Sequence, residues 1–196
     1  MCGVLCTLFN VGCEQLKKEE QNIVFKDQLV KQICVENWDA NFDGELSYNE
    51  AASVVTVNEI FEDTKIVSFD ELQYFTGLKK LEPCTFSCEN LNNIIIPDNV
   101  TLLEHEVFCD SYALKYVTIG KSVQTIEHAV FAWNYILEAV YCKPITPPTI
   151  SASQNFKDFN EALFTIYVPA QSVEAYKKHV DWSRYAKYIK GYDFKN

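Results

Sequence analysis

Apolar residues recur along this chain in a frame of 23 residues between Phe86 and Cys142. Leu91, Leu114 and Leu137 keep that step, as do Ile94, Val117 and Val140, and Ile96, Ile119 and Cys142. Val100 with Val123, Leu103 with Ile126 and Phe108 with Phe131 keep it too. One apolar frame at a fixed period is the signature of a solenoid. A single unit cannot bury its own apolar face, so neighbours stack and share a continuous core. Asn93 to Ile96 and Tyr116 to Ile119 are short and rich in β-branched residues, so they read as strands. Alternation along a strand turns Ile94 and Ile96 inward and Asn93 and Ile95 outward. Pro97 and Gly120 stop two strands at one frame position. The returning halves, Glu104 to Phe108 and Glu127 to Phe131, predict a turn, a short strand or a single helical turn on the convex side.

The frame continues downstream with a slip of three. Leu137 to Leu163, Val140 to Ile166 and Cys142 to Val168 are each 26 residues apart, which makes Phe164 to Pro169 a fourth rung. Pro144, Pro147 and Pro148 lie in the longer loop before it, where proline is tolerated. Upstream, Leu81 and Phe86 stand 22 residues before Leu103 and Phe108, an incomplete rung. After Pro169, the spacing of Val173, Tyr176, His179 or Val180, Tyr185 and Tyr188 predicts an amphipathic helical cap in two segments, with Trp182 on the last rung. A partner-binding helix is the other reading of that segment.

A second pattern precedes the repeats. Leu29, Val30, Ile33, Cys34 and Asn37/Trp38 follow a helical stripe. The next twelve residues, Asp39 to Glu50, match the EF-hand calcium loop at its diagnostic positions. Calcium is a hard cation that takes six to eight oxygens. Asp39, Asn41 and Asp43 would supply side-chain oxygens, and Glu45 its backbone carbonyl. Ser47 would act directly or through water, and Glu50 would close the site with both oxygens. Gly44 allows the sharp turn, and Leu46 points into the local core. Ala51, Ala52, Val54 and Val55 continue an exit helix. Only one such loop occurs, which points to a structural Ca2+ rather than a sensor pair. Its apolar face would close the open first rung. An acidic turn without an ion is the alternative.

Charge and composition narrow the partners. The net charge of −10 over 196 residues argues against a nucleic-acid phosphate partner. No run is long enough for a transmembrane helix. Eight cysteines form no C-x-x-C pair and no zinc spacing, so they read as buried free thiols. Met1 to Gly12 is largely apolar and is followed by Cys13 and a polar run, which resembles a bacterial lipoprotein leader with Cys13 lipidated. No Lys or Arg precedes the apolar part, and a disordered N-terminus is the alternative. The divisions are then 1–24 leader and linker, 25–62 helix–loop–helix cap, 63–170 repeats and 171–196 C-terminal cap.

Three features together carry a resemblance. They are the calcium loop with its Trp38 lead-in, the run Ser68-Phe69-Asp70-Glu71-Leu72-Gln73-Tyr74-Phe75-Thr76-Gly77-Leu78, and the repeat Phe86, Cys88, Leu91, Ile94, Ile96-Pro97. The tail, with Tyr167-Val168-Pro169, Ser172, Tyr176-Lys177 and Trp182, agrees. The chain from Phe25 to Phe194 resembles the BspA-like leucine-rich repeat proteins of Bacteroides and relatives. Cys109 departs by standing one place closer to its phenylalanine than Cys88 does, and the third repeat has Ala132 and Trp133 there. The resemblance implies an α+β solenoid of leucine-rich repeats at or outside the bacterial surface. It implies an adhesion or binding role toward host or bacterial proteins, or glycans, and no catalytic residues.

The outward strand positions form two columns: Asn93, Tyr116, Ala139, Thr165 and Ile95, Thr118, Tyr141, Tyr167. Tyr116, Thr118, Tyr141 and Tyr167 are the candidate ligand face, since exposed tyrosine is enriched at interfaces. A ladder that only stabilises the sheet is the alternative. His105 with His128 and Glu104 with Glu127 share repeat positions and read as a solvent-facing ladder rather than an acid–base or metal cluster. No nucleophile elbow, phosphate loop or zinc-protease motif occurs. The reading is a non-enzymatic, monomeric binding protein of the cell surface, an outer-membrane lipoprotein or secreted, touching membrane only through a lipid anchor. A calcium-stabilised scaffold piece is the alternative.

Overall fold

A computed structural model describes residues 21–151, 155–156 and 159–195. Cys13 and the leader before residue 21 lie outside the described residues. Two helices come first, α1 (Gln28–Trp38) and α2 (Tyr48–Ser53). Ten strands then wind as a solenoid. They are β1 (Ser68–Phe69), β2 (Lys80–Leu81), β3 (Asn93–Ile95), β4 (Leu102–Leu103) and β5 (Tyr116–Ile119). After them come β6 (Thr125–Ile126), β7 (Ala139–Cys142), β8 (Thr149–Ile150) and β9 (Thr165–Pro169). Helix α3 (Val173–Lys178) and a 3₁₀ segment, Ser183–Tyr188, follow, and β10 (Ile189–Tyr192) ends the fold.

All pairings in the two sheets are parallel. The main sheet has the order β1-β3-β5-β7-β9-β10, and a narrower one has the order β2-β4-β6-β8. The main sheet keeps the register of the apolar frame. Val117 stands opposite Ile94 and Val140, and Val140 opposite Ile166. The slip of three is absorbed outside the strands. The returning half contains its strand just ahead of the expected span, at Leu102–Leu103 and Thr125–Ile126, and the expected spans are turns.

The third side of the solenoid is this column of turns. Backbone bonds still join its rungs, as from Phe86 N to Val107 O at 2.9 Å and from Phe108 N to Val130 O at 3.0 Å. Each turn bends through left-handed residues that are not glycine. Cys84, Glu106 and Ala129 form one such series, and Asp63, Asp110 and Trp133 form another.

Behind the turns runs a ladder of buried phenylalanines. Phe61, Phe86, Phe108, Phe131 and Phe156 stack at centroid spacings of 5.4, 5.7, 5.6 and 5.1 Å. Beside them, Cys88, Ser111 and Asn134 occupy one buried column. Their side chains donate to the carbonyls of Phe61, Phe86 and Phe108 at 2.9, 2.7 and 2.9 Å. Three different side chains thus satisfy the same inner carbonyl, which a buried backbone requires.

Four expectations change here. Helix α2 stops at Ser53 and does not run on through Val55. Its end fits tightly against the repeats, for a Cβ on Gly77 would lie 2.4 Å from Val54 O. Leu163 is exposed, and Phe164 takes the interior place. The C-terminal cap is helical only in part, because β10 pairs with β9 and extends the sheet by one strand. Finally, residues 21–23 pack on the fold. Ile23 is buried, and Asn22 bridges Ser47 in the loop between α1 and α2.

Candidate functional site

The loop after α1 gathers its side-chain oxygens by turning backbone amides toward them. Asp27 starts the helix by accepting from Leu29 N at 2.9 Å, and its other oxygen accepts from Val67 N at 2.6 Å. One cap residue therefore fixes α1 against the repeats. At the far end, Asp39 accepts from Phe42 N at 2.7 Å and Gly44 N at 2.8 Å. Asn41 accepts from Asp43 N at 2.8 Å, and Asp43 from Glu45 N at 2.9 Å. Gly44 has φ +81°, a left-handed turn that glycine makes without a Cβ penalty. Glu50 reaches back over the loop. One oxygen accepts from Ala40 N and the other from Ser47 N, both at 2.9 Å. Ser47 and Glu50 form a capping box that starts α2.

This donor set is oxygen only, as a hard cation requires. Among the described residues, the ion pairs leave out Asp39, Asp43 and Glu50. The Glu45 carboxylate is taken by Lys31 Nζ at 2.6 Å, so only its carbonyl can serve the loop. Among the described residues, no three His, Cys, Asp or Glu side chains form a metal cage by themselves. An ion here would depend on Asn41, Ser47 and the Glu45 carbonyl as much as on the carboxylates. The loop's backbone edge is occupied. Ile23 N donates to Leu46 O at 2.8 Å, and Tyr48 N to Gln21 O at 3.1 Å.

The outward columns align as the alternation requires, yet they do not form one surface. Tyr141 and Tyr167 stack at 4.9 Å with ring planes 15° apart. Tyr192, from β10, meets both edge-on at 5.3 and 5.5 Å. Thr118 lies beside Tyr141 in register. Tyr116 stands apart, its hydroxyl donating to Glu138 Oε2 at 2.6 Å. That bond raises its pKa, while burial raises that of Tyr141, so both keep their proton at neutral pH. Ala139 is buried despite its outward position, and Asn93 is bonded to Asp70. The facing sides of Tyr141 and Tyr167 are used on each other.

With rungs, register and ladder in view, the comparison with known families has a structural counterpart. Residues 52–138 match the model of the BspA type leucine rich repeat region, in six copies. The match ends at Glu138, and β7, β9 and β10 continue the same sheet beyond it. No curated protein matches the chain.

The remaining polar groups of the rungs follow from repetition. Glu104 pairs with Lys80 at 2.9 Å, and Glu127 with His105 at 3.8 Å. His105, Glu127 and His128 line a shallow hollow of about 570 Å³ on the narrow sheet. Cys34, Cys84, Cys88, Cys109 and Cys142 are free thiols. Burial pushes Cys88 up to about 11 and Cys109 and Cys142 to about 12, so these three stay protonated, each with a hydrogen-bond partner for its thiol. Among the described residues, no helix is long and apolar enough to cross a membrane.

Sequence reasoning missed Tyr192 and the pairing of residues 21–23. The alternation of Ile189, Lys190, Gly191 and Tyr192 was the available signal for the first. The apolar run Ile23-Val24-Phe25 after a polar stretch was the signal for the second.

Proposed function

We propose that this protein is a non-enzymatic binding module of the bacterial cell surface. It recognises protein or glycan ligands through the main sheet, with a structural Ca2+ in its N-terminal cap. The observation that carries this reading is the tyrosine cluster. Three aromatic rings from β7, β9 and β10 sit on the outer face of a rigid sheet. Amphipathic rings held in place bind at low entropic cost. Because Tyr141 and Tyr167 spend their facing sides on each other, protein ligands fit the cluster better than sugar faces do. The BspA-type repeat supports a location at or outside the surface. A scaffold role remains the second reading, since stacked cross-strand tyrosines also stiffen a sheet.

The test changes Tyr141, Tyr167 and Tyr192 to serine together and compares both proteins on an array of matrix proteins and surface glycans. Binding to at least one target should fall more than tenfold, with the melting temperature within a few degrees of the parent. Undiminished binding would return the cluster to a purely structural role.

In the cap, Asp39, Asn41, Asp43, Ser47, Glu50 and the Glu45 carbonyl would hold the ion, which would tie α1 to α2. Ion binding to the folded form alone adds about 2.7 kcal/mol at a hundredfold excess over Kd. For a chain of this size that is roughly 5–10 °C in melting temperature. Thermal unfolding with calcium and with chelator, beside Asp43→Ala, reads it directly. A shift that Asp43→Ala abolishes supports the site, and an unchanged midpoint reduces the loop to an acidic turn.

A further inference from the structure

Beside the tyrosine cluster, a groove of about 1500 Å³ runs between the exit turns of the rungs, the proline loop and the C-terminal segment. We propose that it docks an acidic, extended peptide of a partner protein. This rests on the reading of the protein as a binding module, and the groove shares Tyr192, but neither Tyr141 nor Tyr167, with the tyrosine face.

The first argument is preorganisation. The loop wall holds Pro144, Pro147 and Pro148, whose φ angles are fixed. Cap side chains pin it from inside. Tyr176 donates to Pro144 O at 2.8 Å, and Trp182 Nε1 to Pro148 O at 2.7 Å. A wall fixed before binding loses little entropy when a ligand arrives. Prolines also offer no N–H, so this wall cannot add a strand to a ligand. Recognition must come from side chains.

The second argument is charge. The chain carries 27 acidic and 17 basic residues, yet the groove reverses that balance. Lys121, Lys143 and Lys195 face Asp98 and Asp193 across it. Asp98 is shared, lying 3.7 Å from Lys121 and 3.5 Å from Lys143. One carboxylate cannot neutralise two ammonium groups.

The third argument is apolar area at the same place. Ile145 is 66% exposed on the loop and Tyr192 is 42% exposed opposite. Phe194 extends that side, packed edge-on against Tyr192 at 4.8 Å. Lysines and apolar side chains thus line one groove. An extended peptide turns successive side chains to opposite sides, so acidic residues would meet the lysines while apolar ones meet the aromatic wall.

The probe is a fluorescently labelled peptide of alternating Glu and Pro, titrated with the full chain by polarisation. Matched Lys–Pro and Ser–Pro peptides and heparin serve as comparators. The Glu–Pro peptide should bind best and should tighten as salt is lowered. Lys121→Glu with Lys143→Glu should weaken it about tenfold. The neutral pair Lys121→Gln with Lys143→Gln should fall between, and both variants should melt like the parent. Equal binding of the Lys–Pro peptide, binding of heparin alone, or self-association abolished by the lysine changes would each overturn the proposal. Because these variants keep all three tyrosines, their result is separable from the array test of the sheet face.

Discussion

Phe108→Ala should cost about 3–5 kcal/mol, the usual loss when a fully buried aromatic is truncated. Phe108 is wholly buried and stacks on Phe86 at 5.7 Å and on Phe131 at 5.6 Å. Its ring is the middle contact of the ladder, so its loss leaves two facing surfaces without partners. The protein's total stability is expected near 5–15 kcal/mol, which makes this change a large fraction of it. Repeat arrays are held by nearest-neighbour contacts. A void at the centre should therefore also broaden the urea transition as the two halves begin to unfold separately. Phe108→Leu, which keeps apolar volume, should lose much less. A loss under 1 kcal/mol in urea titration of the alanine variant would show that the ladder is not a principal source of stability.

The second large effect is expected at Trp182. Its ring is fully buried and meets Tyr176 edge-on at 5.1 Å. Trp182→Ala should cost about 3–5 kcal/mol from lost burial and the cavity left behind. The Pro148 carbonyl, now bonded by the indole at 2.7 Å, would lose its donor. A buried acceptor left in that state adds roughly 1–3 kcal/mol. Trp182→Phe separates the parts, since it keeps most of the apolar area and removes only the N–H and some volume. Circular dichroism melts of the two variants should rank alanine well below phenylalanine and phenylalanine below the parent. Equal melting points for phenylalanine and parent would mean that water replaces the indole donor at no cost.

The main sheet was readable because one apolar frame recurs at one step, and inward positions tolerate only apolar groups of similar size. The turn between α1 and α2 was readable because its oxygen-bearing residues and Gly44 fall at fixed offsets. What escaped lies where chemistry is satisfied by partners distant in the chain. The strands of the narrow sheet are two residues long, too short for alternation to register. Cys88, Ser111 and Asn134 share a task but no side-chain class, so an apolar pattern passes over them. Strand β10 follows a segment with helical spacing and contains Gly191. Only the open edge of β9 makes it a strand, by offering Ile166 to Val168 for pairing. That pairing brings Tyr192 to the cluster, while Tyr116 belongs to Glu138 instead.

The pairing of residues 21–23 with the loop between α1 and α2 has a mechanical meaning. Tension on the chain ahead of residue 21 would enter the fold at the Asn22–Ser47 bridge and the two backbone bonds beside it. Force would then pass through Leu46 and Ser47, inside the twelve-residue loop, before it reaches any rung. Under such a pull these short contacts would be the first to part, and an ion bound in the loop would raise the force at which they do.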